Sequence, residues 1–158
     1  MYKKILAPLD GSKLSECSLP HIKAIATACG VPEVVLLKVV EPVFNLETEA
    51  TAKVGRDLMA EVEQASWDKD KVYLDGLVSK LTSAGIHASA MLTKGKPADA
   101  IIDFAQKNHV DLIIMSTHGR SGVTRWLLGS VTDKVVRHSA VPVLTVSPAD
   151  RKPAVSAL

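Results

Sequence analysis

Val34-Val35-Leu36-Leu37-Lys38-Val39-Val40 and Asp111-Leu112-Ile113-Ile114-Met115-Ser116 are the two runs on which the fold turns. Each is too short for a stable helix, rich in leucine and β-branched residues, and nearly continuous in its hydrophobicity. A strand with one wet face alternates apolar and polar residues. A strand covered on both faces does not, and such strands belong to parallel sheets packed between helices. Lys4-Ile5-Leu6-Ala7-Pro8 opens the chain in the same manner, and Pro142-Val143-Leu144-Thr145-Val146 closes it. Ile86 to Thr93 is more polar, which suits a sheet edge.

Between these runs the apolar residues take helical spacing: Leu14, Cys17, Ile22, Ile25 and Cys29; Leu58, Val62, Ala65, Leu74, Leu77, Val78 and Leu81; then Ala98, Ile101, Ile102 and Ala105 after Pro97 at a first turn. Glu41 to Gly55 has no clear period and reads as a long loop. Thr117 to Leu128 is punctuated by glycine, and Gly129 to Ser139 reads as a last helix. Strands alternating with helices predict an α/β class fold: a doubly wound three-layer domain with a five-stranded parallel sheet over residues 1–146. Ser147 to Leu158, rich in Pro, Ser and Ala, is expected to be a flexible tail. Ligands of such folds sit beyond the carboxyl ends of the strands at the topological switch point. Pro8 to Ser12, Val39 to Pro42 and Met115 to Thr132 are therefore the candidate rim.

Composition acts mainly by exclusion. At 158 residues, 47% hydrophobic and 23% charged, the chain suffices for one domain with a sizeable core. Nineteen Lys and Arg against 17 Asp and Glu leave a net charge of +2, too little for a nucleic-acid footprint or a polybasic membrane anchor. No apolar run approaches the roughly 18 residues that span a bilayer. The basic, then apolar N-terminus breaks at Pro8 and Asp10 and reads as a strand rather than a signal peptide. Cys17 and Cys29 form no CxxC, and without other cysteines a reducing, cytoplasmic setting is expected.

Ser116-Thr117-His118-Gly119-Arg120-Ser121-Gly122 and the following Val123 to Thr132 hold the most chemistry. The segment leaves a buried strand and ends on a helix start. Gly129-Ser130 there would present free N–H groups, a hydroxyl and the positive dipole end, a set suited to phosphate. The plain alternative is a loop glycine followed by an N-cap. Asp10, in Asp10-Gly11-Ser12, is likewise either a ligand contact or a turn residue capping the first helix. Arg120 and Arg125 flank the loop, either reaching terminal phosphates or standing solvated, and Trp126 suits a loop anchor. Gly119 to Gly122 lacks the spacing of G-x-S-x-G, and Gly95-Lys96-Pro97 lacks that of a Walker loop. The five histidines have no metal-ligand spacing.

This segment resembles the nucleotide-binding motif of the universal stress protein family: G-x-x-G, nine residues, then G-[S/T]. Gly119 matches the second glycine, Arg120 to Leu128 the nine residues, and Gly129-Ser130 the closing pair. Ser116 stands where the family has its first glycine and narrows the room for backbone approach. Pro8-Leu9-Asp10-Gly11-Ser12 and Val141 to Val146 resemble the family's two ends, so the likeness spans about Met1 to Val146. It implies the adenine nucleotide α-hydrolase-like architecture. It also implies adenine between the first two strand ends near Pro8, Leu9 and Val39, with Asp10 by the ribose or base edge. Met115, Ser116 and Gly119 would line the ribose-phosphate side, and Gly129, Ser130, Val131 and Thr132 would receive the phosphates.

The function expected from this resemblance is an ATP-binding, or adenine-nucleotide-binding, stress-response regulator whose occupied loop is read by a protein partner. Mg²⁺ would enter through the phosphates, with Asp10 and Asp133 reaching it through waters. No residue has a claim as catalytic base, so the expectation is at most slow ATP hydrolysis. An adenylating enzyme would call for a Ser-Gly-Gly-x-Asp-Ser-like loop or His-x-Gly-His, and neither is present. The alternative is a nucleotide-independent dimeric interaction protein of the same family. A homodimer is expected in both cases, through the short apolar strand Pro142 to Val146.

Overall fold

The computed structural model describes residues 2–41, 52–118 and 128–148. Five strands, β1 (Lys4–Pro8), β2 (Glu33–Val40), β3 (Ala88–Lys94), β4 (Leu112–Ser116) and β5 (Val143–Val146), form one sheet in the order β3-β2-β1-β4-β5. Every pairing is parallel. β1 feeds β2 on one side and lies beside β4 on the other, so the switch point falls between β1 and β4. β3 occupies an edge, as its polarity predicts, and β5 the other.

The period of two along each strand divides the core into halves. Ile5 and Ala7, Val34 and Leu36, Leu112 and Ile114 face one way and meet Ile22 and Ala26 of α1 (Leu19–Cys29). Leu74, Leu77 and Leu81 of α2 (Ala52–Ser83) close the same half. Leu6, Val35, Leu37, Ile113 and Met115 face the other way, against Ala98, Ile101 and Ala105 of α3 (Pro97–Lys107) and Val135 of α4 (Ser130–His138). Continuous hydrophobicity in β2 and β4 is thus the sequence trace of two buried faces. The three layers are α1 and α2, the sheet, and α3 and α4.

Local chemistry sets the ends. α1 stops at Gly30, whose φ of 59° is left-handed, and Val31 N–H reaches back to Ala26 C=O at 2.9 Å to finish the turn. Pro97 opens α3 as expected. At the amino end of the sheet the Asp111 carboxylate accepts from the Lys3 and Lys4 N–H groups at 2.7 and 2.8 Å. Asp111 N–H donates to Lys4 C=O at 2.9 Å, which pins the register of β1 against β4.

Two readings need correction. The loop expected over Glu41 to Gly55 ends sooner, because α2 begins at Ala52 and passes through Gly55. One glycine costs a helix about 1 kcal/mol, which a 32-residue helix packed on the sheet absorbs. Cys17 and Cys29 do not share a helix, since Ser15–Ser18 is a separate 3-10 turn before α1.

Candidate functional site

A cavity of about 720 Å³ opens at the carboxyl end of the sheet. The ends of β1 (Pro8, Leu9, Asp10, Gly11), β2 (Leu37 to Glu41) and β4 (Met115, Ser116) form its floor, so it lies at the switch point. Pro97 and Ile101 of α3 and Val131 of α4 wall one side; Ser15 and the α2 residues Ser66, Lys69, Asp70 and Tyr73 wall the other. The cavity is aliphatic between Val39 and Met115 and polar toward α2.

The β1 end is shaped by a turn. Asp10 Oδ1 accepts from Ser12 N–H at 2.8 Å, and Asp10 N–H points to Ser15 Oγ at 3.4 Å. Gly11 between them has φ of 87°, a left-handed conformation that favours glycine. Asp10 is thus a turn residue on the cavity floor, but it caps no helix: neither the 3-10 turn nor α1 has a side-chain cap. Leu9 N–H donates to Leu37 C=O at 2.8 Å, carrying the β1–β2 pairing up to the rim.

The β4 end is tied to α4. Ser116 is buried and its hydroxyl donates to His118 C=O. Thr132 is also buried, rather than on the helix surface, and donates from Oγ1 to Ser116 C=O at 2.9 Å. Gly129 N–H donates to Thr117 C=O at 2.9 Å. Gly129, not Ser130, is the N-cap of α4, and among the described residues no side chain caps that end. The first-turn N–H groups of Ser130, Val131 and Thr132 therefore have no side-chain cap among the described residues, and the helix dipole points its positive end out of them. His118 is buried beside Thr117, with Nδ1 and Oγ1 2.9 Å apart.

The structure brings Pro8, Leu9, Asp10, Val39, Met115, Ser116 and Val131 together around one cavity. Gly129, Ser130 and Thr132 stand at the adjoining helix end, with Thr132 serving to join α4 to β4. Gly119, Arg120, Arg125 and Trp126 lie outside the described residues. Sequence reasoning missed the α2 wall. Lys38 and Asp70 form an ion pair with side chains only 6% and 13% exposed, and the Lys38 ammonium lies 5.8 Å from the Tyr73 ring centre. Tyr73 Oη donates to Glu16 at 3.3 Å, and burial, with the Glu16 carboxylate second, pushes the phenol well above its usual pKa. The available signal was Lys38 itself, a lone charge in the apolar run from Val34 to Val40.

The chain matches the profile of the universal stress protein family over residues 1–147. It is similar to universal stress protein MJ0577 of Methanocaldococcus jannaschii, at 32% identity over 155 residues, 92% of this chain and 95% of that protein. The solved structure of MJ0577 superposes with a TM-score of 0.81 at 33% identity, covering 96% of this chain and 99% of that one. A universal stress protein family protein of Arabidopsis thaliana with AMP bound gives a TM-score of 0.66 at 21% identity, over 96% of each chain. A universal stress protein in complex with cAMP gives 0.65 at 22% identity, over 92% of this chain and 97% of that one. At such identity the last two share the fold.

Proposed function

The chain belongs to the universal stress protein family, and from that premise we propose that it is a regulatory protein that binds an adenine nucleotide, ATP among the candidates. The observation that carries the reading is the cavity at the β1, β2 and β4 ends, which meets the N-terminus of α4, capped by no side chain among the described residues. The base would lie between aliphatic walls at Pro8, Leu9 and Val39, with the ribose by Asp10, Met115 and Ser116. Phosphates would take the N–H groups of Gly129, Ser130, Val131 and Thr132 and the dipole of α4. That the Arabidopsis structure holds AMP and another structure of the same fold holds cAMP supports an adenine ligand.

Binding of this kind needs no cluster of basic side chains, in keeping with the net charge of +2. Among the described residues no group of three metal-ligating side chains gathers. Mg²⁺ would be carried in on the phosphates, with the protein contributing through waters. Regulation then follows from differential affinity: a nucleotide that prefers one arrangement of the rim shifts the population a partner meets.

A homodimer through β5 belongs to the same reading. Leu144 is 36% exposed on a four-residue edge strand, and a second copy paired along that edge would cover it. Calorimetric titration with ATP, ADP, AMP and cAMP, each with and without Mg²⁺, tests the nucleotide proposal. Saturable heat with at least one of them is expected; no heat and no thermal shift with any would overturn it.

A further inference from the structure

α2 is held to the rest of the molecule in two different ways. From Leu74 onward its inward positions are apolar, and Leu74, Leu77 and Leu81 are buried in the same half of the core as Ile5, Val34 and Leu36. Over residues 60–72 the same side of the helix carries Glu63, Trp67 and Asp70, each only partly buried, and every other position is exposed. Among the described residues neither half of the core includes a residue of α2 before Tyr73. This is the part of α2 that walls the cavity, through Ser66, Lys69 and Asp70. We propose that residues 60–72 lift off the sheet as a unit while the rest of α2 stays packed, and that a nucleotide in the cavity holds them down. Occupancy of the cavity is thereby displayed on the outer surface of α2. This inference rests on the nucleotide reading above and names the regulation of that site.

The contacts that fasten this stretch are polar. Asp70 pairs with Lys38 of β2, Glu63 pairs with Lys94 of β3 at 2.8 Å, and at the lower end Tyr73 Oη donates to Glu16 at 3.3 Å. The Glu63 and Lys94 side chains are 42% and 57% exposed, and surface pairs of that kind add little to stability. The Lys38–Asp70 pair is nearly buried, and desolvation of the two charges offsets most of their attraction. Both charges regain water when the wall lifts, so opening there costs little. Opening the next turns would instead expose Leu74, Leu77 and Leu81 and forfeit the main driving force of folding. The end of apolar contact at Tyr73 and Leu74 therefore sets the hinge. Segments with few buried apolar contacts open locally, well below the free energy of global unfolding.

The coupling to ligand follows from where the cavity lies. Its floor belongs to β1 and β2, strands paired on both sides, whereas its outer wall belongs to the loosely held part of α2. A nucleotide seated between them touches floor and wall together, so it makes all its contacts only while the wall is down. A ligand that binds one of two states better shifts the population toward that state, by as much as its affinities differ. Once off the sheet, a stretch as short as 60–72 is marginal as a helix in water. Lifting therefore exposes its backbone N–H groups to exchange with solvent, and a ligand that holds the wall down suppresses that exchange.

The experiment is hydrogen exchange read by mass spectrometry on the full chain, free and saturated with whichever of ATP, ADP, AMP and cAMP binds most tightly in calorimetry. Peptides from β4 serve as the reference for global unfolding. In the free protein the amides of 61–72 should exchange at least about a hundredfold faster than those of 75–81 in the same helix. Bound nucleotide should slow 61–72 by at least about tenfold more than it slows 75–81 or β4. In the free protein Lys38→Met/Asp70→Leu, which continues the apolar stripe toward the cavity, should slow 61–72 about tenfold. Asp70→Asn, which leaves Lys38 without its counter-charge, should speed the same amides severalfold, with β4 little changed. The wild-type comparison decides the matter even where a variant fails to fold. Rates within about threefold in the two parts of α2, slowing by nucleotide no greater than in β4, or unchanged exchange in both folded variants overturns the lifting wall and leaves nucleotide binding standing. Failure of wild type to bind any of the four nucleotides overturns both.

Discussion

Replacing Gly129 tests the junction on which phosphate binding depends. Its φ of −56° and ψ of 149° suit any residue, so Gly129→Ala brings no backbone strain. The new Cβ would lie 3.2 Å from Thr117 C=O and 3.8 Å from His118 Cα. The first contact is tighter than ordinary packing and has to open by a few tenths of an ångström. The same carbonyl accepts the Gly129 N–H at 2.9 Å, so relieving the contact stretches that bond. The structural cost should not exceed one neutral hydrogen bond, about 0.5–1.5 kcal/mol. For a chain of this size that is a drop in Tm of about 1–6 °C. The functional cost comes on top, because the methyl group sits at the mouth of α4 where the N–H groups are presented. Roughly tenfold weaker AMP binding, about 1.4 kcal/mol, is expected for Ala, and at least about a hundredfold for the bulkier Gly129→Val. Melting without ligand measures the first cost and calorimetry with AMP the second. If both variants are folded and bind AMP with the wild-type Kd, the phosphates are not at the N-terminus of α4. A fall in Tm beyond about 10 °C for Ala would refute the local account of the contact.

Three further outcomes follow from other parts of the molecule. The Lys3 and Lys4 backbone N–H groups hold the Asp111 carboxyl below its usual pKa, so the stability they confer is complete above about pH 4 and is lost as pH falls through the folded value. Asp111→Asn should cost about 1 kcal/mol at pH 7, after discounting two charge-assisted bonds for exposure, with the gap from wild type closing toward pH 2 in urea titrations. A gap independent of pH would refute the charge argument. Leu36→Ala, at a fully buried position facing α2, should cost about 3 kcal/mol in chemical denaturation, and less than about 1 would contradict its place in the core. Leu144→Glu should shift sedimentation from dimer to monomer at tens of micromolar, an order-of-magnitude working range; a monomeric wild type would end the β5 proposal.

The architecture was legible because burial on two faces writes itself into a strand. Val34 to Val40 and Asp111 to Ser116 could be read without their neighbours, and β3 revealed its edge position through its polarity. The start of α2 was not legible. Gly55 and the aperiodic residues before it argue locally for a loop, whereas a long helix packed on the sheet can carry one unfavourable glycine. The role of Thr132 was hidden for a related reason. A threonine in a first helical turn reads as surface, and only the approach of α4 to the end of β4 turns its hydroxyl toward Ser116 C=O.

The α2 wall shows where one-dimensional reading stops at the site itself. A lysine in a strand reads as an edge or a wet face, and Asp70 reads as the polar side of a helix; thirty-two residues separate them. They become one feature only when α2 returns across β2, which is a property of the connection and not of either residue. The same return explains why the cavity has two characters. Its α4 side adjoins the segment that resembles the family's motif, and the first turn of that helix presents backbone groups suited to any phosphate. Its α2 side is made by residues outside that motif, with charged side chains in place of backbone groups. A phosphate held by the first turn of α4 would then be blind to the base. The division carries its own test. With AMP, IMP and GMP as ligands, Gly129→Ala should weaken all three by the same factor. An altered ratio in Gly129→Ala would mean that the two halves are coupled rather than separable.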